Sequence, residues 1–77
     1  MRARIYYLNN LLVAEREDGL RLSHVDAVQL ADLLWVNNVK SSEIYMIDWH
    51  EAPEYAPLSG HKVAVFQRLR LHEQSLE

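Results

Sequence analysis

The sequence contains no cysteine, so neither disulfide bonds nor thiolate coordination of a metal can reinforce the core. It has only two glycines and two prolines, and 49% of its 77 residues are hydrophobic, which excludes a collagen-like repeat, a low-complexity linker and a disordered chain. No run of 18 apolar residues occurs, and residues 1–4 lead into a strand-like pattern instead of the apolar segment of a signal peptide. These absences predict a single small domain over residues 1–77 with a cytoplasmic location. The terminal pair Leu76-Glu77 resembles a cloning scar.

Positive charge is also scarce. Eight lysine and arginine residues stand against eleven aspartate and glutamate residues, for a net charge of −3. Proteins that bind nucleic acid mainly through phosphates usually have a basic surplus, so this balance argues against such a protein. The helix predicted below has aspartates and neither lysine nor arginine on its polar face, which argues against binding to an anionic membrane surface.

The most regular pattern predicts a helix over residues 24–37. Ser23 suits the N-cap, and Asp26 would stand at the N3 position of a capping-box-like start. Apolar residues recur with the i, i+3, i+4, i+7 spacing of one buried stripe, namely Ala27, Leu30, Ala31 and Leu34. Asn37-Asn38 is a suitable stop, because asparagine tolerates the left-handed conformation at a helix C-terminus.

The residues before this helix predict short strands joined by tight turns. Residues 2–8 form the first predicted strand, because isoleucine and tyrosine have high β propensity. Asn9-Asn10 suits a two-residue hairpin turn, and the chain then returns in a second strand over residues 11–17. Asp18-Gly19 favours another tight turn, which leads into a short segment over residues 20–22.

A short helix is the alternative for residues 11–18. Asn10 would cap this helix and Gly19 would stop it. Eight residues are few for a helix that lacks packing partners, so we favour the hairpin.

Two further strands are predicted after the helix. Residues 43–49 are rich in β-forming residues and apolar on both faces, which is typical of a central strand. A loop with both prolines follows over residues 50–61, and residues 62–70 form the last predicted strand, with Val63 and Val65 facing the helix. The predicted fold class is α+β: a small, mostly antiparallel sheet of four to five strands in the order β-β-(β)-α-β-β, with one helix on one face.

A single helix can cover only one face of such a sheet. Strand alternation places aromatic residues and arginines on the other face. The predicted binding residues are Arg2, Arg4, Tyr6, Tyr45, Trp49, Phe66, Arg68 and Arg70. Exposed aromatic patches usually mark interfaces, and tyrosine, tryptophan and arginine dominate binding hot spots. In the alternative interpretation, the loop over residues 50–61 folds across this face and closes a second small core.

No sequence pattern predicts an active site or a metal site. Residue types that bind metals or transfer protons cluster around the loop after the central strand, namely Asp48, His50, Glu51, Glu54 and His61. Their spacing matches no metal-binding motif, and neither a Gly-x-Ser-x-Gly elbow nor a phosphate-binding glycine loop occurs. Solvated loop side chains explain the cluster more simply. We therefore predict no catalytic residue, no metal and no cofactor.

The sequence predicts a small binding or regulatory module without catalysis, which makes protein–protein contacts through its aromatic-arginine sheet face. A homodimer is the simplest arrangement, because isologous pairing buries the patch without a second gene product. The alternative is a single-stranded RNA- or DNA-binding protein, in which bases stack on the rings and arginines bind phosphates. A small metal-dependent enzyme has the least support, and no membrane partner is expected.

Overall fold

The computed structural model describes residues 1–47 and 50–75, in which four strands form one mixed sheet and two helices pack against it. The predicted α+β class is confirmed, whereas the described chain has a second helix and one parallel strand pair in place of the predicted single helix and last strand. The elements are β1 (Ala3–Leu8), β2 (Leu11–Arg16), β3 (Arg21–His24), α1 (Ala27–Val36), a 3₁₀ turn (Ser41–Glu43), β4 (Ile44–Met46) and α2 (Ser59–Gln74).

The first three strands form an antiparallel meander. Asn9 and Asn10 both have positive φ angles, of 51° and 63°, as a two-residue turn of the hairpin type requires. Ile5 then lies opposite Ala14 in the β1–β2 ladder. Gly19 has a φ of 97° in the next turn, a conformation that glycine adopts without steric cost. The predicted hairpin is therefore confirmed, and the short helix over residues 11–18 is not formed.

The fourth strand pairs in parallel with β1, so the described sheet is mixed, with two antiparallel pairs and one parallel pair that the sequence pattern did not predict. The strand order is β3-β2-β1-β4, and Ile44 lies opposite Ala3. Parallel neighbours need a crossover connection, and the chain makes it by leaving β3 at one edge, passing through α1 and returning at the other edge. The strand ends at Met46, short of the predicted range 43–49, and the last two residues of that range, Asp48 and Trp49, lie outside the described residues.

Helix α1 begins three residues later than predicted. Asp26 is its N-cap and accepts a hydrogen bond from the Val28 backbone N–H at 3.2 Å. Ser23 is not a cap, because it belongs to β3 and pairs with Val13 in the β2–β3 ladder. The predicted apolar stripe is confirmed, since the buried residues of α1 are Ala27, Leu30, Ala31 and Leu34.

The predicted asparagine stop of α1 is confirmed in a specific form. Asn38 has a φ of 64°, and its N–H donates to the Trp35 carbonyl at 3.2 Å. The Val39 N–H donates to the Leu34 carbonyl at 2.9 Å. These two bonds form a Schellman motif, which satisfies carbonyls that the helix end would leave unpaired. Val39 itself is fully buried, so the helix end is fastened to the core.

The last predicted strand is a helix. Residues 62–70 lie within α2, where Val65 and Leu69 are fully buried. The residues fit two patterns, because Val63 and Val65 alternate as in a strand, while Val65, Leu69 and His72 recur at i, i+4 and i+7. Packing against α1 stabilises the helix, although valine on its own favours a strand.

One cluster of buried side chains joins the sheet to both described helices. Its largest fully buried members are Ile5, Leu12, Leu30, Leu34, Leu69, Val39 and Val65. Alternate residues of β1 and β2 belong to this cluster, so α1 and α2 lie on the same face of the sheet. Within residues 1–47 and 50–75, neither helix combines the length and the apolar content that a membrane crossing requires.

Candidate interaction surface

The face of the sheet opposite α1 and α2 is the candidate functional site. Side chains that alternate with the core residues along each strand point to this face. We call it the open sheet face and define it by Arg2, Arg4, Tyr6, Val13, Glu15, Arg21, Ser23, Tyr45 and Ile47. Pairing across β1 fixes its layout: Arg4 lies between Glu15 on β2 and Tyr45 on β4.

Four of the predicted binding residues come together here. Arg4 and Tyr6 are on β1, and Tyr45 is opposite Arg4 on β4. The Arg2 carbonyl accepts a hydrogen bond from the Glu17 N–H at 2.9 Å, so the pairing of β1 with β2 continues by one residue. Arg2 therefore lies two residues before Arg4 on the same face. Trp49, the predicted aromatic anchor, lies outside the described residues.

The other three predicted residues do not join this face. Phe66, Arg68 and Arg70 lie on α2, because the segment predicted as a strand is helical. Arg68 turns toward α1, where its Nε donates to Asp32 Oδ1 at 2.8 Å. Phe66 and Arg70 are exposed on α2. The predicted placement of these three on the open sheet face is therefore wrong.

A cleft on the open sheet face is formed by residues of β1 and β2, by Ile47 and by Tyr55 of the loop that follows. It has a volume of about 240 Å³ and is lined by Arg4, Tyr6, Glu15, Ile47 and Tyr55. We call it the tyrosine cleft, because the Tyr6 and Tyr55 rings meet edge to face, with centroids 6.4 Å apart and planes at 88°. Edge-to-face geometry is a favourable arrangement of aromatic rings.

Tyr55 is the residue of the candidate site that the sequence pattern did not predict. Its backbone carbonyl accepts a hydrogen bond from the Tyr7 N–H at 2.7 Å, which holds the loop beside β1 beyond the end of β4. The predicted alternative, a loop that closes over the sheet face, is met in part, because Glu51 and Tyr55 of this loop both contact side chains of the face. The only available signal was an aromatic residue in a loop, and nothing in the loop sequence indicates which strand it meets.

Charges of both signs line the open sheet face. Arg21 Nη2 donates to Glu15 Oε2 at 3.0 Å, and this bond raises the pKa of Arg21. Among the described residues, Arg2 and Arg4 form no ion pair. The face thus combines two guanidinium groups available to a partner with a carboxylate that is already partly neutralised.

Apolar side chains on this face range from covered to strongly exposed. Val13 is only 7% exposed, although it does not belong to the core cluster beneath the helices. Its neighbours on the open sheet face must therefore cover it. Tyr45 is 52% exposed, and its hydroxyl donates a hydrogen bond to Glu51 Oε2.

A second polar cluster lies between the helices, on the opposite side of the sheet. Asp32 Oδ1 accepts a hydrogen bond from Arg68 Nε and lies 2.6 Å from His72 Nε2, within hydrogen-bond distance. Both bonds lower the pKa of Asp32, and the bond from Arg68 has the larger effect. The His72 ring stacks on Trp35 at a centroid distance of 5.4 Å. These contacts fasten α2 to α1 and explain why Arg68 is not available on the sheet face.

The loop residues predicted as weak metal or catalytic candidates do not form a site in the described part of the chain. Asp48 lies outside it, and Glu51 is engaged with Tyr45. His61 instead packs its ring against Tyr7, with centroids 5.4 Å apart. Within residues 1–47 and 50–75, no three histidine, aspartate or glutamate side chains come close enough to hold a metal ion.

Comparison of the chain with protein-family models, with curated proteins and with solved structures finds no match. Function therefore has to be inferred from the chemistry and exposure of the open sheet face itself.

Proposed function

We propose that the protein is a small cytosolic binding module that acts through its open sheet face, with a second copy of the chain as its simplest partner. The main support is that both described helices pack on the other face. Arg4, Tyr6 and Tyr45 are thereby left without a helical cover. No catalytic role is part of the proposal.

The residue types on this face favour a binding role. Tyrosine and arginine are enriched at protein interfaces and among residues with large binding contributions. Tyr45 presents more than half of its surface to solvent, and the tyrosine cleft lies beside it. A domain of 77 residues has a small core, so burial of this face in a complex would add stability that the monomer lacks.

The mixture of charges supports self-association. An isologous dimer brings the same patch of both copies together, so each positive group needs a negative group within that patch. The open sheet face supplies both signs, with Arg4 next to Glu15 and with Glu51 held at its edge by Tyr45. A patch of one sign would instead repel its own copy.

Single-stranded nucleic acid is the less favoured ligand. Such proteins combine stacking rings with a groove of positive charge that follows the backbone. Here Arg68 is paired with Asp32 on the helical side, and Arg70 is also on α2. Glu15 adds negative charge at the rim of the tyrosine cleft. The surface is therefore less basic than the sequence pattern indicated.

Sedimentation analysis of the purified protein from micromolar to millimolar concentration tests the proposal. We expect a reversible dimer. Tyr45→Ser should weaken the dimer at least about tenfold, because truncating an aromatic anchor typically costs about 2 kcal/mol. Phe66→Ser is the matched control, since Phe66 is an exposed aromatic residue on α2, 38% exposed, and its loss should leave the dimer unchanged.

Two results would contradict the proposal. One is a wild-type protein that stays monomeric at millimolar concentration. The other is equal dimerisation of wild type and Tyr45→Ser. A gel-shift titration with single-stranded RNA and DNA separates the alternative, because phosphate-dependent affinity falls steeply with salt whereas an aromatic dimer contact changes little. If the protein is monomeric and its affinity for RNA or DNA falls steeply with salt, the partner is nucleic acid and not a second copy of the chain.

A further inference from the structure

Tyr45 and Glu51 form a combined anchor at the edge of the open sheet face. The Tyr45 hydroxyl donates to the Glu51 carboxylate, so an exposed ring and a negative charge are held side by side. Glu51 is itself exposed in the loop that follows β4. A partner that accepts this pair must offer an apolar recess with a positive group at its rim.

The tyrosine cleft has these properties. Tyr6, Ile47 and Tyr55 supply apolar surface. Arg4 stands at the rim without an ion pair among the described residues, whereas the Glu15 carboxylate at the same rim is already paired with Arg21. Its volume of about 240 Å³ is below the roughly 300 Å³ at which pockets for small molecules usually begin. The cleft therefore suits a single side chain better than a cofactor or metabolite.

We propose that Tyr45 of one copy fills the tyrosine cleft of a second copy, and that Glu51 of the first copy pairs with Arg4 of the second. This inference rests on the proposed self-association through the open sheet face. Arg4 and Tyr45 are opposite each other in the β1–β4 ladder, so anchor and cleft lie next to each other on one face. A twofold axis close to this pair brings each anchor over the other copy's cleft, and the contact is made twice.

Charge complementarity favours a second copy over an unrelated protein. Burying the Arg4 guanidinium in an interface without a carboxylate would be costly, because an unpaired buried charge loses its hydration. The chain itself provides a carboxylate beside an aromatic anchor on the same face. The open sheet face therefore carries an exposed ring beside a carboxylate and a cleft beside a guanidinium group, so a second copy supplies the opposite charge.

Two charge reversals test this pairing by complementation. In Arg4→Glu, residue 4 of each copy would face Glu51 of the other with like charge, and in Glu51→Arg the like charges would both be positive. Each variant alone should dimerise at least tenfold more weakly than wild type, since like charges in contact oppose association strongly. An equimolar mixture of the two variants should form a heterodimer, because both contacts of that pair join opposite charges. Sedimentation of the mixture, with one variant labelled, measures this recovery.

Arg70→Glu is the matched control, because it makes the same charge change on α2 and should leave the dimer intact. Circular dichroism spectra and thermal midpoints establish that each variant is folded. If the variants dimerise like wild type, or if the mixture shows no recovery, the pairing is overturned. If the charge reversals fail in this way but Tyr45→Ser still abolishes the dimer, only the proposed pairing of anchor and cleft is rejected, and the proposed function stands. A monomeric wild type overturns both.

Discussion

At the scale of single residues, Asp18 shows how a turn is stabilised by charge. Its carboxylate accepts two hydrogen bonds from the Arg16 guanidinium, at 2.8 and 2.6 Å, and one from the Leu20 N–H at 3.2 Å. The bond from Arg16 is the largest cause that lowers the pKa of Asp18 from 3.8 to about 2. Arg16 also donates to the Asn37 carbonyl at 2.7 Å, so the turn is linked to the end of α1.

This pKa predicts the direction of acid sensitivity. A carboxyl group whose pKa is lowered by folding stabilises the protein above its unfolded pKa and loses that contribution as the pH falls through its folded pKa. The thermal midpoint should therefore decline between pH 4 and pH 2, and Asp18→Asn should decline less over this window. Glu17→Gln is the control, since Glu17 forms no ion pair in the described part of the chain. Identical pH profiles for wild type and Asp18→Asn would contradict the assignment.

The four site residues that sequence reasoning located correctly share one property. Arg2, Arg4, Tyr6 and Tyr45 belong to segments whose alternation of side chains follows directly from a strand. Tyr55 could not be located in this way, because a loop residue reaches its partner through the tertiary path of the chain. A backbone hydrogen bond to β1, not a local pattern, determines its position.

At the scale of elements, the contrast between α1 and α2 shows what a sequence pattern can decide. The stripe of α1 has one helical period and one asparagine stop, and no competing strand pattern. The α2 segment satisfies both a strand and a helix over its first residues. Only contact with α1, including the bond between Arg68 and Asp32, selects the helix. The parallel pairing of β4 with β1 likewise depends on tertiary structure, because α1 brings the chain back to the edge of the sheet beside β1.

The packing of α1 predicts a large cost for truncating its buried stripe. Leu34 is 1% exposed and belongs to the core cluster that joins the sheet to both described helices. Leu34→Ala should lower the free energy of unfolding by about 2–5 kcal/mol, because it removes buried methyl groups and leaves a cavity. For a domain of this size, that is close to the whole stability.

Urea denaturation followed by tryptophan fluorescence measures this effect. Val36→Ala is the control on the same helix, because Val36 is 77% exposed and its truncation removes little buried surface. A denaturation midpoint of Leu34→Ala that coincides with that of wild type would contradict the orientation of α1.

At the scale of the whole molecule, the uncovered face has a different origin from the predicted one. The sequence pattern predicted a single helix, which could cover only one face of the sheet. The described chain has two helices, yet both pack on the same face and against each other. The Asp32 contacts with Arg68 and His72 hold α2 beside α1. The open sheet face is therefore left by the arrangement of the layers and not by a shortage of helices.

The most direct test of the central claim is a dilution series of ¹H–¹⁵N correlation spectra from millimolar to micromolar protein. We predict concentration-dependent amide shifts at Arg4, Tyr6, Tyr45 and Glu51, because these residues enter or border the proposed contact. Amides on the exposed side of α2, such as that of Arg70, should not shift. Spectra that are identical at all concentrations, or shifts confined to α2, would contradict a binding role for the open sheet face in self-association.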